Sequence, residues 1–104
     1  RLDALAKVFG TSAVAAKDFG EHFTTIELLV KAAIEQNFVE ILYQNLNEQT
    51  PKRRRFAPYN VYFDPDGATL KVIGFDERRQ NIIPFSIDHI KKIKITGENF
   101  ERPK

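Results

Sequence analysis

The chain contains no cysteine, methionine or tryptophan, and only two histidines occur among its 104 residues. Without cysteine, neither a disulfide framework nor a thiolate zinc site can form, which fits a reducing compartment. His22 and His89 are far apart and lack the spacing of metal ligands, so we predict no metal and no cofactor. There is also no nucleophile elbow and no glycine-rich phosphate loop. The sequence therefore predicts a protein that is not an enzyme.

Long apolar runs are missing as well. No run approaches the roughly 18 apolar residues of a membrane helix, and the start Arg1-Leu2-Asp3 has no secretory pattern. We therefore predict a soluble, cytoplasmic protein with no membrane partner. The lack of methionine and the arginine at position 1 predict a processed piece of a longer chain. With 42% hydrophobic and 29% charged residues, the composition is typical of one compact domain with an appended helical piece.

Charge is unevenly distributed along the chain. Residues 1–24 balance, residues 25–50 have one lysine against four glutamates, and residues 51–104 have twelve Lys or Arg against seven Asp or Glu. Such a basic half can form a surface for anions, of which nucleic acid is the commonest. A solvated basic face is the other interpretation, and the sequence leaves both open.

The first 23 residues are predicted to form a separate helical segment. Apolar residues follow helical spacing from Leu2 to Phe19 and are interrupted by Gly10-Thr11-Ser12, which predicts two short helices joined by a tight turn. Ser12 can cap the second helix. The arrangement is similar to the inner pair of a helix-turn-helix, although a third helix and a net positive charge are lacking. It is either a remnant of a DNA-reading unit or a packing helical pair or linker.

Residues 24–104 are predicted to form a second unit, a helix followed by strands. Thr24-x-x-Glu27 is a capping box, so a helix should begin at Thr25 and end near Gln36 or Asn37. Alternating apolar residues and turn signals then predict five strands, at about 39–45, 53–63, 69–75, 82–87 and 91–96. The fold class predicted is α+β, with N-terminal helices followed by a small five-stranded SH3/Sm-like β-barrel.

One predicted strand combines basic and aromatic residues in the run Lys52-Arg53-Arg54-Arg55-Phe56-Ala57-Pro58-Tyr59. Guanidinium groups can bind phosphates and aromatic rings can stack on bases. On a strand, Arg54 and Phe56 share one face, and Arg53 and Arg55 share the other. The alternative is a charged edge that prevents strand pairing. A second basic group is predicted to be solvated, because it alternates with isoleucines that should face the core; it comprises Lys91, Lys92 and Lys94.

From Ile34 to Pro103 the order of motifs resembles that of a WYL domain. Tyr43 falls on the family tyrosine, and Arg54 with Phe56 and Pro58 falls on the family motif Arg-x-aliphatic-x-Pro. Leu70-Lys71-Val72 takes the place of the Trp-Tyr-Leu triplet. The segment 85–90, Phe-Ser-Ile-Asp-His-Ile, matches the last motif, in which Ile83 and His89 stand where the family has arginines.

The resemblance implies a ligand-sensing domain of a bacterial transcriptional regulator, with roles in DNA-damage or phage-defence regulation. It implies a surface that binds nucleic acid or a nucleotide-like anion, and a homodimer of the full-length protein. The residues predicted to bind the ligand are Tyr43, Arg53, Arg54, Arg55, Lys71 and His89. Tyr43 can equally be a cross-strand packing residue, and the alternative for His89 is a solvent-facing histidine or one satisfied within the core. The alternative function is a protein-interaction or oligomerisation module with no nucleic-acid ligand.

Overall fold

The computed structural model describes the backbone of residues 13–103 and the side chains of residues 22–103. It consists of one helix and five strands, joined near the end by a short 3₁₀ turn. The elements are α1 (Ala13–Glu35), β1 (Asn37–Tyr43), β2 (Lys52–Asp64), β3 (Thr69–Asp76), β4 (Asn81–Ser86), the 3₁₀ turn (Ile87–His89) and β5 (Ile90–Asn99). The predicted first helix and the turn at Gly10-Thr11-Ser12 lie outside the described residues.

Helix α1 consists of two helical stretches joined at a kink. At His22 the backbone leaves the helical region (φ −113°, ψ 17°), three residues before the helix start that the capping box predicted. Beyond the kink, one face is buried through Ile26, Leu29 and Ala33. The helix ends as predicted near Gln36, whose φ of 57° is the left-handed conformation that commonly terminates helices.

Residues beyond β5 close this end of the helix. The backbone N–H of Phe100 donates to the Gln36 carbonyl at 2.8 Å, and the Arg102 guanidinium donates to the carbonyls of Ala33 and Tyr59. The last carbonyls of a helix have no partner within the helix, so these donors satisfy groups that would otherwise need water. The C-terminal residues therefore fix α1 against the sheet.

The five strands form one antiparallel sheet in the order β4-β3-β2-β1-β5. All five predicted strands are confirmed in number, type and approximate position. The closed barrel is not confirmed, because β4 and β5 are the sheet edges and do not pair with each other among the described residues. One hydrogen bond reaches from β4 to β1, from Ser86 N–H to Tyr43 Oη at 2.9 Å. Gln44 N–H donates to the His89 carbonyl at 3.1 Å, next to the β1–β5 pairing. The 3₁₀ turn directs β5 to β1 instead of back along β4.

The core lies between α1 and the inner face of the curved sheet. Alternate residues on the strands point into it, as the period of two requires. Its apolar cluster consists of Ile26, Leu29, Ala32, Val39, Ile41, Tyr43, Phe56, Leu70, Val72, Phe85, Ile87 and Ile90. The core face of β2 carries both Arg54 and Phe56, so the prediction that they share a face is confirmed.

Gly74 on β3 is expected to be intolerant of a side chain. An added Cβ would lie 2.9 Å from Phe56 Cδ2 and even closer to the carbonyl oxygen of Ala57. Backbone cannot yield cheaply, so Gly74→Ala should lower the free energy of unfolding by about 2–3 kcal/mol, as overpacking does. Urea denaturation measures this. Gly97→Ala is the control, since nothing lies within 4 Å of its added Cβ. Equal stability of the two variants would contradict the packing described.

Candidate anion-binding site

Arg54, the arginine of the family motif, lies inside the protein. Its side chain is 7% exposed, and Nη2 contacts Oδ2 of the fully buried Asp76 at 2.6 Å. The same carboxylate oxygen accepts the backbone N–H of Arg79 at 3.1 Å. The guanidinium carbon lies 5.6 Å from the centre of the Phe85 ring. Arg54 is thus neutralised within the core, where it ties β2 to the end of β3.

Tyr43 and His89 meet beside this buried pair. Tyr43 is 6% exposed, and its ring packs edge-on against Phe85 at 4.9 Å and against His89 at 5.8 Å between centres. Burial raises the pKa of Tyr43, while the hydrogen bond from Ser86 and the nearby charges of Lys71 and Arg54 oppose that rise. His89 Nδ1 is buried and has no hydrogen-bond partner among the described residues. Among the predicted ligand residues, Tyr43 therefore contacts His89 and lies close enough to Arg54 and Lys71 to sense their charges.

Lys71 has an internal partner on the outer face of the sheet. Its Nζ lies 2.7 Å from Oδ2 of Asp64, across the hairpin formed by β2 and β3. The hydrogen bond between them lowers the pKa of Asp64 and raises the pKa of Lys71. The lysine that replaces part of the Trp-Tyr-Leu triplet is therefore occupied in closing this hairpin.

The Asp64–Lys71 pair can be tested by titration. Because the pKa of folded Asp64 is depressed, the pair stabilises the fold above the ordinary carboxyl pKa of 3.8 and loses that contribution as pH falls through the lowered value. We expect the Asp64 carboxyl NMR signal to titrate below 3.8 in the native chain and to move upward in Lys71→Met. A midpoint that does not respond to this replacement would contradict the pairing.

Arg55 is likewise neutralised, although it lies on the outer face. It pairs with Glu77 at 3.2 Å and Glu98 at 3.1 Å, and its guanidinium carbon lies 4.2 Å from the centre of the Phe38 ring. Two carboxylates and one aromatic face therefore hold this side chain. It links β2 to the turn after β3 and to the end of β5.

Of the three arginines predicted to bind the ligand, Arg53 is the one that is exposed and makes no ion pair within the described part of the chain. Arg53 on β2 lies opposite Leu42 of the neighbouring strand β1. On the other side of β1, Leu42 lies opposite Lys92 of β5. Two residues further back along β1, Glu40 lies opposite Lys94. Neither lysine has an ion-pair partner among residues 22–103. Three unpaired cations therefore share the outer face of β2, β1 and β5.

These side chains surround a surface depression of about 310 Å³, which we call the basic depression; it is lined by Glu40, Ile41, Leu42, Arg53, Lys92, Ile93 and Lys94. Sequence reasoning found Arg53 but assigned Lys92 and Lys94 to solvent. Ile93 and Ile95 do pack against the core, which leaves these lysines on the outer face. Their meeting with Arg53 depends on β5 pairing with β1, for which the sequence carries no local signal.

No described helix is long and apolar enough to cross a membrane. A search of residues whose placement is defined also finds no group of three His, Asp or Glu side chains that could hold a metal ion.

One helix packed on a five-stranded antiparallel sheet, with the motif tyrosine, arginine and histidine gathered at one end, defines a small α+β domain of the type that the motifs predicted. Comparison with protein families matches residues 24–95 to the WYL domain, and the chain belongs to that family. A search of curated protein sequences finds no match.

Among solved structures, proteasome accessory factor B/C (PafBC) of Arthrobacter aurescens is similar, with a TM-score of 0.70 and 15% sequence identity. The match covers 76% of this chain and 12% of that chain. At this identity the likeness concerns the fold. The chain described here spans only a small part of the length of PafBC.

Proposed function

We propose that this WYL domain is the non-enzymatic, ligand-sensing module of a bacterial transcriptional regulator, and that it binds nucleic acid or a nucleotide-like anion. Membership of the WYL family supports the regulatory role. The observation that carries the anion is the basic depression, where Arg53, Lys92 and Lys94 have no carboxylate partner among the described residues. Exposed cations without internal partners are free to neutralise phosphates.

The spacing of these cations favours a ligand with several phosphates. Arg53 and Lys92 stand on the two strands that flank β1, about 9.5 Å apart at twice the usual strand spacing, and Lys94 lies about 7 Å further along β5. An extended sugar-phosphate backbone can place phosphates beside both Arg53 and Lys92, while Leu42 offers an apolar contact between them.

Of the six residues predicted to bind the ligand, we assign direct contact to one and a supporting structural role to the other five. Arg53 contacts the ligand directly, since its guanidinium can donate two hydrogen bonds to one phosphate. Tyr43, Arg54, Lys71 and His89 shape the neighbouring end of the sheet, and Arg55 fixes β2 beside the depression. We also propose that the full-length protein is a homodimer, and that residues 1–23 and 24–104 form separate units.

Salt-dependent binding tests this function. We expect labelled single-stranded oligonucleotides to bind in fluorescence anisotropy, with an affinity that falls steeply as salt rises. Arg53→Ala should weaken binding and reduce the salt slope by about 0.7, the contribution of one phosphate contact on a single strand. Lys31→Ala is the control, because Lys31 is exposed on α1, away from the depression. Equal binding by the two variants would contradict the site.

A protein-interaction module is the second candidate, and one surface favours it. The outer face of β3 and β4 carries Phe75 opposite Ile82 and Ile73 opposite the exposed Pro84, and Ile82 is 45% exposed. Contacts through such a face would be insensitive to salt. Self-association in sedimentation that survives high salt and is lost in Ile82→Lys would favour this function over nucleic-acid binding.

A further inference from the structure

Glu40 is an unpaired carboxylate inside the basic depression. It lies directly opposite Arg55 on one side and Lys94 on the other. Yet Arg55 pairs with Glu77 and Glu98 instead, and Glu40 makes no ion pair or hydrogen bond with the side chains that the structure describes. An acceptor with no donor therefore lies among three free cations.

The Glu40 carboxylate restricts which chemical group of a bound phosphate-containing ligand can lie next to it. An ionised carboxylate only accepts hydrogen bonds, and it repels a phosphate at close range. The phosphates should therefore lie on the side of Arg53 and Lys92, and the group next to Glu40 should be an uncharged donor. Along β1, Glu40 lies about 7 Å from Leu42, which places this acceptor one step beyond the Arg53–Leu42–Lys92 row.

In a nucleic-acid strand, the donor nearest to each phosphate irrespective of base is the ribose 2′-hydroxyl. Donors on the bases differ between nucleotides and swing away from the backbone, whereas the sugar hydroxyl is present at every ribonucleotide. It is also the group by which a protein distinguishes RNA from DNA. A carboxylate beside a phosphate-binding row matches this arrangement of hydroxyl and phosphate.

We propose that Glu40 makes the basic depression selective for single-stranded RNA over DNA, by accepting a hydrogen bond from a ribose 2′-hydroxyl. The inference rests on the proposed binding of nucleic acid at this depression. Arg53 and Lys92 supply affinity for the phosphates, and Glu40 supplies discrimination between the two sugars.

Three strands of equal length isolate the hydroxyl: oligouridylate, oligodeoxyuridylate and 2′-O-methyl oligouridylate. We expect the native domain to bind the first about tenfold more tightly than the other two, a factor at the low end for a hydrogen bond to a charged acceptor. The 2′-O-methyl strand keeps the sugar oxygen but cannot donate, so it should resemble the deoxy strand.

Glu40→Leu should bind all three strands with equal affinity, because the acceptor that favours the ribo strand is lost, and it should bind the deoxy and 2′-O-methyl strands more tightly, because the repulsion is lost too. Glu101→Leu, at an exposed position outside the depression, should retain the preference of the native domain. Equal binding of ribo and deoxy strands by the native domain would overturn the selectivity and leave the proposed function standing. A preference that survives in Glu40→Leu would overturn the role of Glu40. If no strand binds in a salt-sensitive manner, the proposed function itself fails.

Discussion

Asp76→Ala is expected to lower the free energy of unfolding by about 3–5 kcal/mol, the cost of leaving a buried charge without its partner. Asp76 is fully buried, and its carboxylate is the only one that pairs with Arg54 among the described residues. A domain of this size is stabilised by roughly 5–15 kcal/mol in total, so the loss is a large fraction of its stability. Urea denaturation followed by circular dichroism measures it.

Two further variants make this prediction specific. Glu77→Ala removes an exposed partner of Arg55 while Glu98 remains, so it should change stability by less than about 1 kcal/mol. The double variant Arg54→Met/Asp76→Leu removes both charges and should recover much of the loss, because apolar replacement of a buried pair is often neutral or favourable. Arg54 Nε and Asp76 Oδ1 have no hydrogen-bond partner among the described residues, so the pair is incompletely satisfied. Native stability in Asp76→Ala would contradict the buried pair.

Reversing two charges of the basic depression should have the largest effect on binding. In the double variant Arg53→Glu/Lys92→Glu, two carboxylates replace the two cations that would contact the phosphates, so attraction becomes repulsion. We expect affinity for single-stranded nucleic acid to fall by about 100-fold or more at low salt, as several kcal/mol of phosphate contact are lost. The fold should be unaffected, since both side chains are exposed and unpaired among the described residues.

Net charge alone must be separated from the site. Lys31→Glu/Arg78→Glu makes the same total change of charge at exposed positions on α1 and in the turn after β3. Steering by overall charge would weaken binding equally in both double variants. A specific site predicts a modest loss in this control and a near-complete loss at the depression. Equal losses would contradict the assignment of Arg53 and Lys92.

The sequence predicted the elements well and their arrangement less well. Period-two alternation located all five strands, and the two faces of β2 followed from it directly. The alternation could not reveal which face of β2 packs against the core, because a run of basic residues is ordinarily found on the surface. Asp76, the carboxylate that makes burial of Arg54 feasible, lies 22 residues away, just beyond the predicted strand 69–75. Burial of that arginine is a tertiary effect.

The basic depression was only partly predictable for the same reason. Arg53 was identified from its run, but Lys92 joins it through the β1–β5 pairing, which connects residues some fifty positions apart. Local periodicity carries no information on strand order. The predicted barrel was not confirmed, because β4 and β5 do not pair among the described residues. Alternation along a strand carries no information on whether the two sheet edges meet. Side chains on a face could be predicted, but not their neighbours on the next strand.

The central claim is that the basic depression is where this domain binds its ligand, and amide chemical-shift mapping tests it most directly. Single-stranded oligouridylate is added to the isotope-labelled domain, and the shifts are followed residue by residue. The account predicts the largest changes at Glu40, Leu42, Arg53, Lys92 and Lys94, with small changes in the β2–β3 hairpin around Asp64 and Lys71. Changes confined to that hairpin, with none in the depression, would contradict it.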